Sequence, residues 1–268
     1  MGEVMGLFHS PKIITDGLVL SLDYANAKCI EQDASVETCK NLVNLSDAGG
    51  EGIDDTYGGS SGTHTPTAGK FMHWFNHPDV GPVMEGITND GVHFEENYGH
   101  DAGECTYQFW VYKSSGANDY LFDARGGDYV GGDTPGGGGY CFSNYLSTNI
   151  NFDNALKYNF SSSYNATDPK FINRWLCVAI TGKTSENGLM YINGEEITNN
   201  SQGLNTSYSK QANIDTNIGQ RFRIGHRYNN VSTGPFSGYM GPWLVYTRKL
   251  SSAEIMQNFQ AFRGRFNI

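Results

Sequence analysis

The chain has 268 residues, 18 Lys+Arg against 28 Asp+Glu, a formal net charge of −10 and a mean hydropathy of −0.46. Charged residues make up only 17%, so its hydrophilicity comes from uncharged polar residues, with 25 Asn beside 34 Gly. Aromatics at 13% argue against disorder, and the composition lacks the Ala, Leu, Glu and Lys excess of a helical bundle. The acidic balance disfavours nucleic acid, whose phosphates need a basic face. No apolar run approaches the roughly 20 residues of a membrane span. Gly, Asn and Tyr in excess suit a protein of many strands and tight turns.

The first residues, Met1-Gly2-Glu3-Val4, lack the basic and apolar regions of a signal peptide, and Gly6 stands where myristoylation needs Ser or Thr. The expectation is a soluble protein made in a cytoplasm, with no membrane insertion. The cysteines, Cys29, Cys39, Cys105, Cys141 and Cys177, are odd in number and form no CxxC pair, so no metal site is expected from them. Cys105 and Cys177 fall in apolar runs and read as small buried thiols. Cys29 and Cys39 flank a polar loop; spacing alone does not decide whether they pair.

In chain order, an arm from Leu7 to Asp16 precedes a first strand at Gly17–Asp23. Residues 24–70 read as long loops, with one candidate strand at Asn41-Leu-Val-Asn-Leu45. Further strands are expected at Gly91–Phe94, Cys105–Tyr112 and Tyr120–Asp123, then a glycine-rich loop from Gly126 to Gly139. Tyr140–Tyr145, Thr148–Phe152 and Leu156–Phe160 follow as short polar-aromatic strands, and Trp175–Thr181 is the clearest strand of all. Leu189–Ile192 and Glu195–Thr198 flank Asn193-Gly194, which accepts the positive φ of a type I′ hairpin turn. Arg221–Gly225 and Gly238–Tyr246 complete the strands. One helix is expected: Ser251-Ser-Ala-Glu254 is a capping box, Ile255, Phe259 and Phe262 form one apolar stripe, and Gly264 is placed to close it. Roughly a dozen strands and one short helix make an all-β sandwich by count alone.

From Gly91 to Ile255 the order of motifs resembles the laminin-G-like, concanavalin A-like family. The matching pieces include Gly91-Val-His-Phe94, Cys105–Val111, Tyr120–Gly126, Arg174–Thr181, Leu189–Glu195, Phe222–Gly225, Pro235–Gly238 and Val245–Ile255. The resemblance implies an antiparallel jelly-roll sandwich over residues 17–250, an N-terminal arm at 1–16, and a C-terminal helix and tail at 251–268. The segments Phe8–Asp23 and Asn258–Phe266 are similar to structural proteins of tailed bacteriophages. That likeness implies a virion surface component on capsid or tail, made in a reducing host cytoplasm and assembled with other virion subunits, as a homo-oligomer or in many copies. Its work would be decoration or adhesion to a host-surface glycan. Residues 24–90 carry no clear family motif.

Glucanases of this fold carry Glu-x-Asp-x-Glu on one strand, which places the outer carboxylates on one face. No such pattern occurs here. Asp54-Asp55, Glu95-Glu96 and Glu195-Glu196 are adjacent pairs, which a strand sends to opposite faces, so no catalytic residue is assigned and no enzyme is expected. Relatives of the fold often hold calcium at the rim. Asp123 and Asp128, in or beside the glycine-rich loop, are the first candidates for it, with Asp23 and Asn26 behind them. Saccharide binding needs aromatic faces in loop-built concavities, and the candidates are His73, Trp74 and His77 in an aromatic cluster, with Tyr129 and Tyr140 beside the glycines. Trp110, Trp175 and Trp243 lie in strands and read as core. Pro78 disfavours the helix on which His73 and His77 would ligate a metal together.

Phe8, Ile13, Phe266 and Ile268 are apolar residues in terminal segments, where the alternatives are frayed ends or docking against neighbouring subunits. The Asn-x-Ser/Thr sites at Asn44, Asn159, Asn165, Asn199, Asn205 and Asn230 matter only in a secretory pathway. Two rival readings therefore stay open. A secreted or cell-surface carbohydrate-binding module would show a Cys29–Cys39 bridge and occupied sequons. A glycoside hydrolase would show two convergent carboxylates about 5–9.5 Å apart.

Overall fold

The structure, a computed structural model, describes residues 11–29, 41–43, 58–59, 62–63, 73–86, 92–93, 104–114, 120–123, 141–143, 149–152, 156–159, 173–183, 189–196, 223–225 and 236–268. Its strands are β1 (Leu18–Leu22), β2 (Gly58–Gly59), β3 (Gly62–Thr63), β4 (His73–His77), β5 (Gly81–Gly86), β6 (Val92–His93), β7 (Glu104–Lys113) and β8 (Tyr120–Asp123). They continue as β9 (Cys141–Ser143), β10 (Asn149–Phe152), β11 (Leu156–Asn159), β12 (Trp175–Lys183), β13 (Leu189–Ile192), β14 (Glu195–Glu196), β15 (Arg223–Ile224) and β16 (Gly238–Tyr246), before helix α1 (Ser252–Phe266).

Every strand pairing among the described residues is antiparallel. The main sheet runs β14-β13-β12-β7-β16-β5-β4. The long strand β16 shares one edge between two partners: Gly238–Met240 pair with β5, and Trp243–Tyr246 pair with β1. A second sheet runs β6-β15-β8-β9, and β10–β11 and β2–β3 form two-stranded pieces. The expected strands at 105–112, 120–123, 175–181 and 238–246 are all present, as is the hairpin at Asn193-Gly194, with φ of 54° and 82°. Asn193 also ties that turn to β12: its N–H donates to the Cys177 carbonyl at 2.7 Å, and its Oδ1 accepts from the Cys177 N–H at 2.9 Å.

The alternation of side chains gives the main sheet two faces. On the inner face, Phe109, Val111, Val178, Met240 and Val245 are fully buried, and Phe109 stacks on Trp243 with centroids 4.2 Å apart. Leu121 and Ile224 of the second sheet are buried as well. The outer face carries Trp110, Cys177, Ala179 and Leu244 beneath α1. There Phe266 stacks on Trp110 at 4.2 Å, Phe259 lies 5.7 Å from Trp110, and Ile255 packs against Ala179 and Tyr246. Burying each of these three helix side chains contributes about 1.5–3 kcal/mol. Trp110, Trp175 and Trp243 are thus core, at 2%, 6% and 0% exposure.

A register shift between Met240 and Trp243 inserts Gly241-Pro242 as a bulge. By strict alternation Tyr239 and Trp243 would share a face; the bulge sends Tyr239 to the outer face and Trp243 to the inner one. Gly241 is required where it stands, since a Cβ there would lie 2.6 Å from Cζ of Phe266 and 2.8 Å from Cβ of Trp110.

Three sequence expectations are corrected. Gly264 does not close the helix: α1 continues to Phe266, and Asn267 caps it in the left-handed region at φ 55°. The extra residues keep Phe266 on the stripe of Ile255 and Phe259, over Trp110. Asn41–Val43 is a turn rather than a strand. Its order comes from the Asn41 side chain, which accepts from the Ser21 and Val43 N–H groups and donates to the Val19 carbonyl. The aromatic run at 73–77, expected in loops, is strand β4, paired with β5 from His73↔Glu85 to His77↔Gly81.

Candidate functional site

Strand register builds the site. Trp175 stands opposite Tyr112, Tyr112 opposite Tyr239, Tyr239 opposite Glu85, and Glu85 opposite His73. These residues form one lateral row across β12, β7, β16, β5 and β4 on the outer face, with Phe266 of α1 against Trp175 at one end of it. Tyr112 lies 5.7 Å from Trp175 and 5.8 Å from Tyr239, and Phe75 stacks on Tyr239 at 5.1 Å with 19° between the rings. Phe75, Tyr112, Tyr239 and Glu85 are half-buried, so the row presents aromatic surface to solvent.

His77 is the hub of this end. It is 8% exposed, with its ring 5.0 Å from Tyr239 and 5.9 Å from both Tyr112 and Trp175. Its Nδ1 accepts the Asp79 N–H at 3.2 Å, so the ring proton of the neutral side chain resides on Nε2. The β4–β5 turn is held from below by Arg265 of α1. That guanidinium donates to the Val80 carbonyl at 3.0 Å, to the Pro82 carbonyl, and to Oδ1 of Asp23 at 2.7 Å. Burial, then the charge of Glu85 and the neighbouring Tyr112, push the Tyr239 phenol upward. It is therefore a standing donor at neutral pH. The row combines aromatic faces with a carboxylate acceptor and hydroxyl groups, the chemistry that grips the apolar face and the hydroxyls of a saccharide.

Of the residues singled out from sequence, His77 belongs to this site. His73 lies in its row by register, while its side chain falls outside what is described. Trp74 sits on the opposite face of β4, across from Met84, with its indole N–H buried and without a hydrogen-bond partner. Tyr129, Tyr140, Asp128 and Phe8 lie outside the described residues. Asp123 ends β8 with its backbone between Arg223 and Cys141, and among the described residues no three His, Cys, Asp or Glu side chains gather as a metal site.

Ile13, Phe266 and Ile268 all make contacts within the chain. Ile13 packs by Tyr246 and Ile255, Phe266 is 2% exposed, and Ile268 packs on the cluster of Val83 and Trp175. Cys29 is buried and Cys39 is outside the described residues. Sequence reading missed Tyr112, Tyr239 and Glu85, because only the pairing of distant strands sets them side by side.

Residues 86–256 match the Laminin_G_3 family of the concanavalin A-like lectin/glucanases superfamily. That is more than half of the chain, and the protein belongs to this family. No curated protein matches the sequence. Among solved structures, domain 4 of the extracellular GH43 arabinanase AbnA from Geobacillus stearothermophilus, in complex with arabinotriose, is similar at 13% identity and a TM-score of 0.51, over 90% of this chain and 97% of that one. The sialidase of Trypanosoma rangeli is similar at 14% identity and a TM-score of 0.49; this chain spans 34% of its length. The receptor-binding domain of botulinum neurotoxin type G follows at 11% identity and 0.47, over 91% of this chain and 51% of that one. The likeness to the arabinanase domain is one of fold alone. No helix among the described residues is long and apolar enough to cross a membrane.

Proposed function

We propose that the chain is a non-enzymatic recognition protein, displayed on the surface of a tailed-phage particle, whose aromatic row binds saccharides of the host surface. The observation that carries the reading is the row itself. The same face that α1 seals over Trp110 is left half-open over Tyr112, Tyr239 and Phe75. The arabinanase domain of like fold is in complex with arabinotriose, which makes a neutral saccharide the first ligand to try. Three of the described acids, Asp16, Asp23 and Glu254, are each paired with an arginine.

The described residues of the two segments similar to phage structural proteins meet at α1. The Ile14 N–H donates to Asn258 Oδ1 at 2.8 Å across 244 residues of sequence, and Gln257 Nε2 donates to the Lys12 carbonyl at 2.7 Å. Display in many copies would multiply weak single-site affinity by about 10²–10⁴. Particle placement is tested by immunogold micrographs of intact virions, with labelled particles expected and label confined to host cells contradicting it. Catalysis is tested by incubating purified chain with polysaccharide: release of shorter products would overturn the non-enzymatic reading.

A further inference from the structure

Resting on the reading of the row as a saccharide platform, we propose that Glu85 makes that platform selective: it accepts uncharged saccharides and excludes carboxylated ones. Glu85 stands inside the row rather than at its margin, between Tyr239 on β16 and His73 on β4. It is half-buried and stands directly opposite Tyr239 in the register, so it lies at the surface a ligand must cover. An ionised carboxylate only accepts hydrogen bonds. A sugar hydroxyl satisfies it, whereas the carboxylate of a uronic or sialic-type sugar brings a second acceptor of the same sign.

Among the described residues, the nearby cations Lys113 and Arg265 are directed elsewhere. Lys113 follows Tyr112 on β7 and so points to the inner face, where it is 1% exposed. Arg265 is committed to Asp23 and to the carbonyls of Val80 and Pro82. The chain's net charge of −10 adds repulsion of the same sign at longer range. Like charges set against each other across a contact act mainly on specificity.

The test is a glycan array carrying each saccharide in neutral form and in a form oxidised to the uronic acid, read at pH 8 with wild type and Glu85→Gln. Wild type is expected to favour the neutral partner by about tenfold or more, and Glu85→Gln to bring the pair within about threefold. The amide keeps the shape of the side chain, and an unchanged melting temperature separates selectivity from folding. Binding of both forms alike by wild type, or an unmoved ratio in Glu85→Gln, overturns the selectivity while leaving the platform. Absence of binding to either form overturns the platform, and the selectivity with it.

Discussion

Two ends of one sheet face carry the same kinds of residue and put them to different use. Under α1, Tyr246 is fully buried and both capacities of its hydroxyl are used: it donates to the Ile14 carbonyl at 2.9 Å and accepts from Asn258 Nδ2 at 2.9 Å. Asn258 donates also to Gln108 at 3.0 Å, and Gln108 to the Ile255 carbonyl at 3.1 Å. Beyond the helix, Tyr239 on the same strand and the same face is half-buried, with Glu85 opposite it on β5. An aromatic residue on this outer face is more deeply buried where the helix reaches it, as at Trp110 and Tyr246, than at Tyr112 and Tyr239. The helix stops at Phe266, whose ring lies 4.6 Å from Trp175 and so marks the border.

The sealed end should break first and hardest. Trp110→Ala removes the ring on which Phe266 and Phe259 stack, and is expected to cost about 3–5 kcal/mol in urea unfolding. Asn258→Ala strands the buried partners of its amide and frees the Ile14 N–H, at about 2–3 kcal/mol. Limited proteolysis should then cut the arm at residues 11–16 sooner than in wild type. At the open end, Tyr239→Ala is expected to lower saccharide affinity by about tenfold while changing stability less than either core variant.

The smallest effect lies at the helix start. The Arg248 guanidinium and the Ser251 amide and hydroxyl hold the Glu254 carboxyl at about 2, below its ordinary 4.5. A depressed folded value means that this stabilisation is present above pH 4.5 and is lost as pH falls towards 2. Glu254→Gln should cost about 1 kcal/mol at neutral pH and flatten the acid side of the stability curve. Equal acid sensitivity in the variant and wild type would contradict this account of the cap.

Sequence made most of the sealed end legible, because local chemistry governs it. The capping box and the stripe of Ile255 and Phe259 are short-range signals, and the three strand tryptophans had to find a core. The open end was less legible. Pro82 hid β5, since a proline argues against a strand. It is tolerated because β5 meets β16 only at Met84–Gly86, and Pro82 has β4 alone as a neighbour. Gly241-Pro242 hid the facing of Tyr239, since the bulge breaks the alternation from which a face is read. The row exists only once residues 75 to 239 are brought together by pairing, and no local pattern announces that.

The most direct test of the central claim is aromatic NMR during titration with a neutral oligosaccharide. Resonances of Phe75, Tyr112 and Tyr239 are expected to shift progressively, while those of Trp110, Tyr246 and Phe266 beneath the helix stay in place. Shifts confined to other parts of the chain, or none at saturating saccharide, would contradict the assignment of the open end as the contact surface.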